Sequence, residues 1–126
     1  MNTLDPFPQP DELEASQLRK ARALMELFRV LHPGMPASYI SAFLSVAEHP
    51  GQGVTEHAQR LGMLRPVASR ILLEIGKKAR TGEPGFDLVA SQQSWADLRA
   101  VHYMLTPRGT RLKRRVLDIL ERGSAT

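Results

Sequence analysis

The chain has 126 residues, 42% of them hydrophobic, enough for one compact domain around a single core and too few for two. It has no cysteine, which excludes a disulfide framework, thiolate metal sites and thiol-based oxidant sensing. The net charge of +4 is split: residues 1–56 carry four Lys/Arg against seven Asp/Glu, a balance of −3, and residues 57–126 carry thirteen against six, a balance of +7. The basic half suits a polyanion.

No basic start followed by an apolar run opens the chain, and no segment approaches the ~18 apolar residues of a membrane span, so a soluble, cytoplasmic protein without a membrane partner is expected. Residues 1–10, with Pro6, Pro8 and Pro10, read as a flexible arm. Residues 11–122 read as one domain. From Asp11 to Leu31, the residues Leu18, Ala21, Leu24, Met25, Phe28 and Leu31 recur at helical steps, and the acidic Asp11, Glu12 and Glu14 suit the first turn. His32-Pro33-Gly34 stops this helix. Pro36 opens a second, with Ile40, Phe43, Leu44 and Ala47 inward, and His49-Pro50-Gly51 ends it.

A short third helix runs from Val54 to Leu61 and ends at Gly62. A fourth spans 65–80, burying Ala68, Ile71, Leu72 and Ile75 and showing Arg65, Ser69, Arg70 and Lys77 outside. The turn-rich Thr81-Gly82-Glu83-Pro84-Gly85 precedes two extended runs, Phe86 to Ala90 and Val101 to Leu105, which read as a hairpin with a long polar tip. Thr106 is a competent N-cap and Pro107 a competent first residue for a last helix, with Leu112, Val116, Ile119 and Leu120 on its inner side. The fold class is mainly α with a small β-hairpin wing, a winged helix-turn-helix.

Motifs sharpen that reading. Ala58, Leu61-Gly62 and Ala68-Ser69-Arg70 fall in the helix-turn-helix. Leu88-Val89, Asp97-Leu98-Arg99 and Leu105-Thr106-Pro107-Arg108-Gly109 follow at wing spacing. On these residues the sequence, over roughly 11–122, resembles the multiple-antibiotic-resistance regulator (MarR) family, as a short member lacking the usual final helix. It departs from the family at His57, where a buried Leu is usual, at Leu64, where the fourth helix usually has a polar N-cap, in extra residues between Ala79 and Leu88, and in the uncharged tip Gln92-Gln93-Ser94-Trp95.

The resemblance implies a sequence-specific DNA-binding transcriptional regulator, a repressor, that works as a homodimer on double-stranded DNA and responds to a small-molecule effector. A major groove admits one helix. Arg65 and Arg70 are then the base readers, Ser69 serves a base or a phosphate, and Pro66 and Val67 offer apolar contact to a thymine methyl. Arg99, oriented by Asp97, would enter the minor groove, although the two also suit a simple ion pair that stabilises the hairpin. Lys77, Lys78 and Arg80 suit phosphates. Trp95 fits either a contact tip or a ring folded back on the hairpin. The basic run Arg108, Arg111, Lys113, Arg114 and Arg115 reads as a solvated face.

The stripe Leu18, Ala21, Leu24, Met25, Phe28 and Leu31 either dimerises together with Leu112, Val116, Ile119 and Leu120 or caps the core. His32, His49, His57 and His102 lack metal-ligand spacing, and no nucleophile, phosphate loop or carboxylate pair has a recognisable context. No metal, no cofactor and no enzymatic activity are expected. A competing reading is a protein-interaction adaptor or an accessory protein of replication or of a mobile element, motivated by Trp95 and the uncharged wing tip.

Overall fold

The computed structural model describes residues 6–79, 81–97 and 100–123. Its elements run α1 (Glu12–Leu31), α2 (Ala37–Glu48), α3 (Val54–Leu61), α4 (Arg65–Glu74), β1 (Val89–Gln93), β2 (Val101–Leu105) and α5 (Pro107–Arg122). The chain divides into two compact units: residues 34–114 form one, and residues 1–33 with 115–126 the other. No helix among the described residues is long and apolar enough to cross a membrane.

In the helical unit, α1 opens with a reciprocal cap. The Asp11 carboxylate accepts the Glu14 backbone N–H at 2.8 Å, and the Glu14 carboxylate accepts that of Asp11 at 2.9 Å, satisfying two of the donors a helix start leaves open. The α1 stripe then splits. Leu27 and Phe28 are buried, Leu24 and Leu31 are half-buried, and Leu18, Ala21 and Met25 are exposed. At the far end of α5, Val116 and Ile119 are buried, and the Leu120 carbonyl accepts from Lys20 Nζ at 3.4 Å. Leu120 was expected on the inner side and is instead 52% exposed. It sits at the edge of the stripe that Val116 and Ile119 centre, where 3.6 residues per turn carries it outward.

In the larger unit, α2, α3 and α4 pack together with β2. Gly62 caps α3 in the left-handed region at φ +65°, and Met63 N–H reaches back to Ala58 O at 2.9 Å, the C-terminal device that glycine permits. β1 and β2 pair antiparallel from Val89↔Leu105 to Gln93↔Val101. The α2–α3 turn is tied to β2 by Tyr103 N–H to Gln52 O at 2.9 Å and Gly51 N–H to Tyr103 O at 2.8 Å, which fixes the wing against the helix-turn-helix.

The Leu105–Gly109 motif has a local explanation. Thr106 Oγ1 accepts the Gly109 N–H at 3.0 Å and donates to Asp87 O at 2.6 Å, so one hydroxyl caps α5 and holds the segment that leads into β1. A Cβ on Gly109 would lie 2.0 Å from the Leu88 carbonyl oxygen; only hydrogen fits.

Two expected boundaries move together. The fourth helix stops at Glu74, short of 80, and β1 starts at Val89 instead of Phe86. The N–H groups of Phe86, Asp87 and Leu88 donate to the carbonyls of Glu74, Gly76 and Ile75 at 3.3, 2.9 and 2.8 Å. These carbonyls are therefore satisfied by the chain segment returning ahead of β1 and not by further helix. Lys77 and Lys78 lie in the resulting loop, where Lys78 bridges to Pro84.

Candidate nucleic-acid interface

Helix α4 starts without a side-chain cap, with Leu64 in extended conformation at the N-cap and Pro66 in the first turn, where a missing N–H costs no intrahelical bond. The Leu64 carbonyl takes the N–H groups of Val67 and Ala68, each at 3.0 Å. Ala68, Ile71 and Leu72 face inward. The opposite side presents Pro66, Ser69, Arg70 and Leu73, spaced as one helical stripe and all exposed, with Arg65 exposed beside them and Val67 half-buried at the edge.

Arg65, Pro66 and Ser69 also form one wall of a cleft of about 530 Å³, whose other walls are the start of α3 (Gly53 to Glu56) and the base of the wing (Ala100 to Tyr103). The recognition-type helix and the wing thus meet in one concave surface. The Glu56 carboxylate in that wall accepts the Gly53 N–H at 3.0 Å, which ties it to the α3 N-terminus. Tyr103, between wing and helices, has its phenol raised above the ordinary value by burial, with Arg65 pulling the other way.

The positions predicted to act on DNA are distributed as follows. Arg65, Pro66, Val67, Ser69 and Arg70 come together on α4; Lys77 and Lys78 are exposed on the loop after it; Asp97 is exposed in the wing tip. Arg99 and Arg80 lie outside the described residues. Leu73 and Leu64 were missed by the sequence reading. Leu73 continues the stripe at i+4 from Ser69, and its spacing was available; as an apolar residue it read as core. His102, Thr55 and the base of the wing were missed because only the fold brings them to the cleft.

Against Tyr103 of this cleft packs the ring of His57, the centre of a polar cluster with buried Ser45 and exposed Arg60. His57, fully buried, stands where the related pattern has an apolar residue. Its Nδ1 is 2.8 Å from Ser45 Oγ and 3.2 Å from Arg60 Nη1, and Arg60 Nη1 also donates to Ser45 Oγ at 2.9 Å. With Ser45 Oγ accepting from Arg60, its hydroxyl is free to donate to Nδ1, which leaves the imidazole neutral and protonated at Nε2. Burial first and the Arg60 charge second hold the His57 pKa below its ordinary value. Among the described residues no group of His, Asp or Glu is placed to hold a metal ion.

No protein-family model matches the sequence, and no curated protein matches it. Solved structures do match. The transcriptional repressor CouR bound to a 23-mer DNA duplex is 28% identical, over 87% of this chain and 70% of that one, with a TM-score of 0.55. A MarR family transcription regulator is 21% identical, over 86% and 63%, with a TM-score of 0.57. The PcaV transcriptional regulator from Streptomyces coelicolor, in complex with its natural ligand, is 22% identical, over 97% and 79%, with a TM-score of 0.53. The chain spans less than two thirds of the second of these. With five helices and a two-stranded wing among the described residues, the chain has a winged helix-turn-helix fold and is similar to MarR-family transcriptional regulators.

Proposed function

We propose that this chain is a sequence-specific DNA-binding transcriptional regulator, a repressor, that lays α4 in the major groove and its wing along the minor groove. The observation that carries the reading is the outward stripe of α4, with Ser69 and Arg70 in it and Arg65 beside it, opening onto the cleft that the wing completes. Arg65 and Arg70 read guanine edges, each good bidentate pair contributing about 1–3 kcal/mol of discrimination. Pro66, Val67 and Leu73 meet thymine methyl groups. Lys77 and Lys78 grip phosphates and add affinity that falls with salt. Asp97 and Arg99 belong to the wing's contact, and CouR, a repressor of the same fold, is bound to duplex DNA.

The working unit in this proposal is a homodimer on an inverted repeat whose half-sites lie about one helical turn apart. Its interface takes Leu18, Ala21 and Met25 of α1 with Leu120 of α5, Leu24 and Leu31 lying at its edge, while Phe28, Leu112, Val116 and Ile119, already buried in the single chain, back these helices from within. Exposure of Leu18, Met25 and Leu120 supports this, since they leave apolar surface open in the single chain. The protein acts in the cytoplasm without a catalytic step, and an effector modulates it, as PcaV's crystallisation with a natural ligand suggests by analogy.

Selection of bound sequences from a random duplex pool tests the proposal, and enrichment of an inverted repeat is the expected result. Arg70→Ala then reduces operator binding far more than random-duplex binding, while Lys77→Ala weakens both about equally. A pool with no enriched sequence, or equal losses for Arg70→Ala on both duplexes, overturns the reading of α4.

A further inference from the structure

Trp95 is the only tryptophan in the chain and is 95% exposed. It is not folded back on its hairpin. The backbone around it is pinned: Ser94 N–H donates to Ala100 O at 2.9 Å, Ala96 N–H to Ser94 Oγ at 3.2 Å, and Ala100 N–H to Asp97 O at 2.9 Å. The ring therefore stands at the apex of a turn whose register is fixed by the Gln93↔Val101 pair. Nothing from Ala90 to Ala96 carries a charge, and Gln92 and Gln93 are exposed beside it.

We infer that Trp95 is an apolar wedge that enters the minor groove flanking the site read by α4, with Gln92 and Gln93 as its polar companions. This rests on the DNA-binding reading above and adds a contact and a sequence preference to it. Aromatic and aliphatic side chains inserted at base steps are an established way of holding the minor groove, and glutamine amides distinguish its A·T from its G·C floor.

The chemistry favours a groove over a protein partner. Among the described residues of the hairpin, Trp95 is the one large exposed hydrophobic. A stable protein interface needs roughly 800 Å² from each side, far more than one ring supplies. A groove needs only the ring. The base of the same hairpin shares a cleft with Arg65, Pro66 and Ser69, so the tip projects from the body that carries the α4 arginines. A basic half attracts the duplex, and the uncharged run from Ala90 to Ala96, which Asp97 follows, loses little hydration on entering it.

Because the chain has one tryptophan, its emission reports this residue alone. The full chain is titrated with a duplex carrying the selected inverted repeat, binding being followed in parallel by anisotropy of a label on the DNA. The expected result is a blue shift and protection from acrylamide on binding. Trp95→Ala weakens binding about ten-fold, and Trp95→Phe restores part of it. Replacing flanking G·C by inosine·C pairs, which removes the minor-groove amino group, tightens wild-type binding and leaves Trp95→Ala unchanged. Both variants keep the wild-type melting temperature, as a fully exposed side chain requires.

Unchanged emission in a complex that anisotropy detects, or equal binding by Trp95→Ala, overturns the wedge and leaves the DNA reading standing. A blue shift that rises with protein concentration in the absence of DNA also overturns it, assigning the ring to a protein contact. Absence of any duplex binding by the wild type removes the DNA reading itself.

Discussion

The two compact units both expose large apolar side chains, but in different company. In the unit of residues 34–114 the exposed ones are Leu64, Leu73 and Trp95, separated from one another and set among Arg65, Ser69, Arg70, Gln92 and Gln93. In the helical unit Phe7, Leu13 and Val30 stand apart, but the others fall at helical steps: Leu18 and Met25 flank Ala21 on one side of α1, and Leu117 and Leu120 lie three apart on α5. Scattered apolar groups among hydrogen-bonding ones suit a hydrated, charged groove, whereas apolar steps along a helix suit another helix. Exposure alone is uninformative; its neighbours decide what kind of surface it meets.

The larger unit also specifies itself more tightly, through backbone approaches that admit no side chain. The strongest break in the comparison should therefore be Gly109→Ala. Its methyl group would overlap the Leu88 carbonyl, and a loss of about 3 kcal/mol is expected in denaturant unfolding. A loss below about 1 kcal/mol would show that this junction yields easily.

The helical unit should tolerate surface change and lose association instead. Leu18→Glu combined with Leu120→Glu is expected to raise the dimer dissociation constant at least about a hundred-fold, or about 2.7 kcal/mol, with the monomer still folded by circular dichroism. Sedimentation velocity reads the outcome, and a wild-type chain that is monomeric at micromolar concentration ends the dimer proposal.

A smaller effect concerns pH. His57 is held below its ordinary value of 6.5 in the folded chain by burial and then by Arg60, with His49 acting in the same direction and Glu56 opposing. The unfolded chain therefore binds the proton more readily, and stability present above the ordinary value is lost as pH falls through it towards the folded value. Denaturation midpoints compared at about pH 7.5 and 5.5 should show this fall. His57→Leu should flatten it, and an unchanged slope in that variant would place the titrating group elsewhere.

The smallest expected change is a gain. Asp87 holds φ +55°, a left-handed conformation unusual for a residue with a side chain, and its Oδ1 is buried without a hydrogen-bond partner among the described residues. Asp87→Gly should add about 0.5–1 kcal/mol by relieving both. A loss would mean the carboxylate is stabilised by a contact with ordered water.

Much of this was legible in one dimension. The helical steps of α1 to α4, Gly62 at the end of α3, and Thr106-Pro107 at the start of α5 were readable because each acts locally, through periodicity or a cap. The stripe of Ser69 and Arg70 was readable for the same reason, and Leu73 belonged to it by spacing. The end of α4 was not readable, since Glu74, Ile75 and Gly76 lose their helical successors to residues more than ten positions later in the chain. The placement of Trp95 was equally open, because a ring at a hairpin tip has no periodic pattern to declare which way it turns.

What the residues determined unaided was the kind of protein: a basic half, helix stops, an N-cap and a wing at family spacing are local chemistry and survive without coordinates. What only the tertiary structure decided was which side chains share a surface. The cleft joining Arg65 to the base of the wing and the Ser45–His57–Arg60 cluster depend on contacts between segments distant in sequence, whose hydrogen bonds and packing no local pattern encodes, and the outward stance of Trp95 depends on the pairing that closes its hairpin.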